Sequence, residues 1–232
     1  MSNFQMPQHV IDRVMEKRGR LNVFESFEPE KTALLIVDMQ NFFVDGVQPC
    51  LDVMPNINRL AEVVRRSGGL VVWVVLTVAE TEDGPSLWPV YHDNFFTEAK
   101  MQAHKKGLTR GSPGHAIHAD MDVHDDDVIS EKTRFSALAQ GASDLHEQLQ
   151  ARGIENVLIG GTLTNMCCES TARDAMMIGY RAIMVEDCNA SRNEEDHAAD
   201  LTSVYQSFCD VRSTDDVIDN VLGAKNAATA AE

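Results

Sequence analysis

Asn156–Asp187 reads NVLIGGTLTNMCCESTARDAMMIGYRAIMVED. An apolar run, Asn156–Gly160, enters a glycine pair and a tight polar turn. A helical pattern follows from near Met166–Cys167 to Ile178, Gly179 stops it, and a second apolar run covers Arg181–Asp187. Strand, helix and strand in this order, with the strands apolar on successive residues, is the repeating unit of a parallel sheet buried on both faces.

The same rhythm extends in both directions. Upstream lie Thr32–Asp38 (TALLIVD) and Leu70–Thr77 (LVVWVVLT), separated by a helix over Pro55–Ser67. That helix places Ile57, Leu60, Ala61 and Val64 at helical spacing and ends at Gly68–Gly69. Val128–Ser130 is a third short strand and Ala142–Arg152 a helix. Downstream, Ser191 and Glu194 match a capping box that opens a helix to about Ser207. Cys209–Ser213 is a sixth strand and Asp215–Leu222 a last helix. The predicted fold is α/β: a three-layer α/β/α sandwich around a six-stranded, mostly parallel sheet. We expect one domain over residues 1–232, with 1–30 as an N-terminal extension bearing a short amphipathic helix and 223–232 as a flexible tail. Val78–Asp127 has weak periodicity and is the long connection, the kind of segment that forms lids or partner contacts.

Composition narrows the function. The chain has 232 residues, 44% of them hydrophobic and 24% charged, which is ordinary for a globular protein. Acidic residues number 36 against 20 basic ones, a net charge of −16. Such a surface repels phosphate backbones and anionic lipid, so neither nucleic acid nor membrane is an expected partner. No apolar run approaches the ~20 residues of a membrane span. The N-terminal residues show no signal-peptide pattern, and the five cysteines are an odd set without disulfide or zinc spacing. A cytoplasmic protein with reduced thiols is expected.

In open parallel sheets, ligands sit beyond the C-terminal ends of the strands. Asp38 ends the first strand, Lys132 lies just past the third, and Cys167 and Cys168 follow the fourth. An acid, a lysine and a thiol reaching one edge suit nucleophilic catalysis, with a helix start favouring thiolate and backbone N–H groups ready for an oxyanion. Adjacent cysteines diverge on a helix, so at most one faces a site. Arg134 competes with Lys132, because strand alternation puts both on one side. Two histidines and a carboxylate, His115, His118 and Asp120, sit in the long connection, but the segment is loop-like and no metal site is expected there. There is no phosphate-binding glycine motif and no G-x-S-x-G elbow.

Three blocks, TALLIVDMQNFF (Thr32–Phe43), DDVISEKTRFSAL (Asp126–Leu138) and GGTLTNMCCESTARDAMMIGYRAIMVEDC (Gly160–Cys188), resemble the isochorismatase-like cysteine hydrolases. The resemblance runs from about Lys31 to Leu222. It implies a catalytic triad of Asp38, Lys132 and Cys167, with Cys168 where the family carries an apolar residue. It implies a cis peptide at Thr162–Leu163 and an oxyanion hole from the backbone N–H groups of Leu163 and Cys167. Thr162 stands where Val or Ile is usual, and Cys188 where Ala is usual. The Asp-x-His metal motif of the nicotinamidase branch is missing after Asp38, so no metal and no cofactor are implied. Retention of Cys167 implies amide or ureido hydrolysis on a small-molecule substrate. The alternatives are a vinyl-ether hydrolase of the isochorismatase type and a non-catalytic binding protein on the same fold. Pocket candidates are Phe43, Trp88, Tyr91, Arg134 and Phe135. Arg134, Arg173 or Lys132 is available to receive a substrate carboxylate. The resemblance also implies a homotetramer or homodimer.

Overall fold

A computed structural model describes residues 4–223. The strands are β1 (Thr32–Val37), β2 (Leu70–Leu76), β3 (Val128–Lys132), β4 (Asn156–Thr162), β5 (Arg181–Ala190) and β6 (Asp210–Arg212). They form one sheet in the order β3-β2-β1-β4-β5-β6, and every ladder among the described residues is parallel. The helices are α1 (Gln8–Arg18), α2 (Asn41–Val44), α3 (Gln48–Asp52), α4 (Met54–Arg66), α5 (Pro89–Phe95), α6 (Glu98–Gly107), α7 (Leu145–Ala151), α8 (Glu169–Met177), α9 (Glu194–Tyr205) and α10 (Thr214–Asp216).

β1 shows why both faces must be covered. Its side chains alternate between two apolar layers. Leu34 and Ile36 join Ile57, Leu60 and Val64 of α4 on one face. Ala33, Leu35 and Val37 join Leu149 of α7, Ala172 and Ala175 of α8, and Leu201 and Val204 of α9 on the other. The N-terminal segment is tied to the sheet as well. Asp210 at the start of β6 is fully buried and accepts the N–H groups of Val23 and Phe24 at 2.7 and 2.8 Å. Val10 and Val14 of α1 rest on Tyr205.

Element boundaries depart from the sequence reading where polar residues continue an element. β3 runs on through Glu131 to Lys132, and β5 runs on to Ala190. The cap of α9 is Asn193, whose side chain accepts from the Asp196 N–H, rather than Ser191. Cys167 lies in a π-helical turn, Thr164–Cys168, that precedes α8. The long connection contains α5 and α6, which weak periodicity did not reveal. Of the predicted tail, 223–232, all but Gly223 lies outside the described residues, as do residues 1–3.

One glycine governs the centre of the sheet edge. Gly161 has φ +119°, and a Cβ there would lie 2.1 Å from the Val37 carbonyl oxygen. Only glycine lets β4 approach β1 this closely just before the turn that carries Cys167.

Candidate active site

Asp38 follows β1 with φ 52°, a left-handed conformation that Asp tolerates better than most residues. Its backbone N–H donates to Val74 O at 2.8 Å. This turns the carboxylate across the sheet edge toward β3. Lys132 Nζ donates to Asp38 Oδ2 at 2.8 Å and to Arg134 O at 3.0 Å. Both side chains of this ion pair are essentially without solvent contact. Asp38 Oδ1 has no hydrogen bond of standard geometry, and the carboxyl group neighbours the Cys167 thiol and the Leu76 backbone.

The adjacent cysteines do diverge. Cys167 lines a cavity of about 350 Å³ together with Asp38, whereas Cys168 is fully buried among the apolar residues under α8. The Cys167 carbonyl accepts from Thr171 Oγ1 at 2.7 Å, which ties the turn to α8. The Thr162–Leu163 peptide bond is cis. Leu163 and Cys167 both border the cavity.

Burial raises the proton affinity of Asp38, and the Lys132 charge works against it. Burial alone would lower Lys132, but the negative groups around it hold it above the usual lysine range. Burial first and then the Asp38 charge push the Cys167 thiol up, beyond what Lys132 offsets. Desolvation thus works against charge on the carboxyl and on the thiol, and the Lys132 charge works for it. At this helix start, burial and the neighbouring carboxylate oppose the thiolate that the sequence position favours.

Phe43, Tyr91 and Phe135 line the cavity, with Phe42, Phe96 and Met166 completing an apolar wall. Trp88 and Arg134 do not line it. Trp88 stands behind the wall, 4.5 Å from the Tyr91 ring and 4.7 Å from the Phe135 ring by centroid. The Arg134 guanidinium turns away to donate to Leu87 O and Thr133 O, and lies over the Trp88 ring. Arg173 is also occupied, by Glu169 and Ser203. The cations that reach the cavity are Lys100 of α6 and Arg192, neither of which sequence reasoning singled out. Both are exposed. Arg192 lies in the loop before α9 and Lys100 in the long connection, where no periodicity marks a direction.

Sequence reasoning also missed Gln40, which is fully buried. Its amide donates to Leu76 O and His115 O and accepts the Leu76 N–H. It thereby locks the loop after β1 to the end of β2 and to the long connection. His115 meets Thr77 Oγ1 at 2.7 Å, while His118 faces Asp45 and Asp120, so these histidines serve separate contacts. A different trio, Glu62, Asp122 and His124, gathers its ligand atoms within 4.8 Å, away from the Cys167 cavity.

Comparison with known proteins gives the family and the fold. The Isochorismatase domain family model matches residues 32–216, and the chain belongs to that family of hydrolases. It is 32% identical over 174 residues to the ureidoacrylate amidohydrolase RutB of Variovorax paradoxus, covering 67% of each chain. Among solved structures it is similar to N-carbamoylsarcosine amidase from Thermoplasma acidophilum, with TM-score 0.64 and 26% identity, over 80% of this chain and 97% of that one. A cysteine hydrolase from Pseudomonas syringae pv. phaseolicola shares the fold, with TM-score 0.72 and 24% identity, over 86% of this chain and 97% of that one.

Proposed function

We propose that this hydrolase is a thiol-dependent amidohydrolase that cleaves the C–N bond of a small linear amide, ureido or carbamoyl compound and releases ammonia. The observation that carries the reading is the buried Asp38–Lys132 ion pair beside the Cys167 thiol. A carboxylate raised by desolvation is a stronger base, and the Lys132 charge favours its ionised form.

In this mechanism the Cys167 sulfur attacks the substrate carbonyl carbon as its proton passes to Asp38. The carbonyl oxygen becomes an oxyanion, held by the N–H groups of Leu163 and Cys167. The tetrahedral adduct collapses, the C–N bond breaks, and Asp38 returns the proton to the leaving nitrogen. Asp38 then takes a proton from water, whose oxygen attacks the thioester and frees the acid and the thiol. The aromatic wall excludes bulk water from the thioester. Lys100 and Arg192 are exposed cations lining the cavity. They favour a substrate with a carboxylate remote from the scissile bond. RutB and N-carbamoylsarcosine amidase, whose names denote acidic ureido and carbamoyl substrates, support that choice.

The same reading includes a homodimer or homotetramer, supported by Phe95, Val90 and Met177, which are 74%, 68% and 64% exposed. A reducing, cytoplasmic setting is supported by five free, buried cysteines. The test is ammonia release from ureidoacrylate analogues, N-carbamoyl amino acids, biuret, triuret, maleamate and nicotinamide, with wild type beside Cys167→Ser. Turnover of an acidic ureido or carbamoyl compound that vanishes in the variant is the expected result. Equal turnover in both proteins, or vinyl-ether cleavage surviving Cys167→Ala, contradicts it.

A further inference from the structure

Two histidines of the long connection meet behind the wall of the Cys167 cavity. His92 lies on α5 and His104 on α6, and both are buried. His92 Nε2 is 2.9 Å from His104 Nδ1, so one of these nitrogens carries a proton and the other accepts it. Aromatic rings surround the pair. Phe42 and Tyr91 meet the His104 ring edge-on, and Phe96 lies tilted against it, at centroid distances of 5.4, 6.1 and 5.0 Å. Of the two histidines, His104 is the one that lines the cavity. The mechanism above uses neither.

The surroundings decide which nitrogen holds the proton. His92 Nδ1 is sealed from solvent and has no partner. If His104 Nδ1 donated, His92 would carry its own proton on Nδ1, a buried N–H with no acceptor. The reverse arrangement leaves only a bare acceptor there, and orphaned buried N–H groups are the rarer of the two. His92 Nε2–H therefore donates to His104 Nδ1, and the His104 proton sits on Nε2. That nitrogen has no partner among the described residues and is not sealed as His92 Nδ1 is. Burial first, and then His92, pushes His104 down to about 4. Burial lowers His92 as well, so both rings are neutral near neutral pH.

α6 turns Lys100, Ala103 and His104 toward the cavity, the i, i+3, i+4 spacing of one helical face. Arg192 reaches the same cavity from the loop before α9. We propose that His104 is a specificity-determining residue of this site: its Nε2–H donates to a carboxylate oxygen of the substrate, remote from the scissile bond, and His92 is the positioning residue that fixes the tautomer. The inference rests on the amidohydrolase reading and deepens it. Lys100 and Arg192 are exposed and supply charge without a fixed direction. The imidazole, wedged among rings and bonded to His92, supplies the direction. A carboxylate offers acceptors only and so suits a donor held in this sense. A substrate ammonium finds no acceptor at His104.

Heteronuclear NMR of the imidazole nitrogens reads the tautomer without any turnover. His104 is expected as a neutral ring with its proton on Nε2, and a proton on Nδ1 overturns the proposal. Ammonia release from N-carbamoylglycine and from its methyl ester, which lacks the carboxylate charge, then tests the contact. His104→Phe keeps a ring among the aromatic side chains and removes the donor. It is expected to raise KM for N-carbamoylglycine at least about tenfold while moving kcat much less, and to leave KM for the ester nearly unchanged. His104→Gln, which restores an N–H, is expected to recover part of the loss. No rise in KM, or the same rise for acid and ester, overturns the proposal. A wild type that hydrolyses neither compound speaks against the amidohydrolase reading, and calorimetry with N-carbamoylglycine then decides. Binding about tenfold weaker in His104→Phe than in wild type supports the contact, whereas equal or absent binding overturns it.

Discussion

Lys132 is a cation with no solvent contact, and its carboxylate partner is equally buried. Removing one member of such a pair leaves an uncompensated charge, at a cost of about 3–5 kcal/mol. Lys132→Met is therefore expected to lose stability by that amount in urea titrations, and the double variant with Asp38→Asn to recover part of it. A Lys132→Met protein as stable as wild type would show that the pair is not desolvated in solution. These residues were readable as strand-end chemistry, but spacing alone did not separate Lys132 from Arg134. The structure shows why. β3 ends at Lys132, so strand alternation stops there and Arg134 is free to turn toward Leu87. Arg192 and Lys100 were not legible, because their placement depends on how a loop and a helix of the long connection fold back over the sheet edge.

Among the elements, the strands were the most legible, since burial on both faces imposes unbroken apolar runs. Their ends were not, because the functional edge is where polar residues are buried and the hydrophobic signal fails. Gly161 marks that edge. At φ +119°, with the Val37 carbonyl where a Cβ would go, Gly161→Ala is expected to cost more than about 3 kcal/mol from combined strain and overlap. Gly141, at φ +74° with open space around its Cβ position, is the control: Gly141→Ala is expected to cost about 1 kcal/mol. Equal thermal shifts for the two variants would contradict the close approach of β4 to β1. Gln40 acts between elements. Gln40→Leu strands the Leu76 N–H and two carbonyls and is expected to cost about 2–4 kcal/mol, a loss that chemical denaturation reads directly.

At the scale of the whole molecule, the net charge of −16 acts together with one buried and one half-buried carboxyl. Burial and the neighbouring Glu169 raise Asp200 to about 9. Burial and Asp187 raise Glu186 to about 7. The folded state thus holds protons that the unfolded chain releases near pH 4. Their stabilising effect is complete below about pH 4 and fades as pH rises through about 7 and then about 9. The melting temperature is expected to fall between pH 6 and 9, and Asp200→Asn to flatten that fall; an identical slope in the variant contradicts the assignment. The central claim concerns Cys167, and acid quenching during turnover tests it most directly. Peptide mass analysis of the quenched enzyme is expected to find the substrate acyl group on Cys167 and on no other residue. Turnover with no adduct at Cys167, and undiminished activity in Cys167→Ala, would contradict the account.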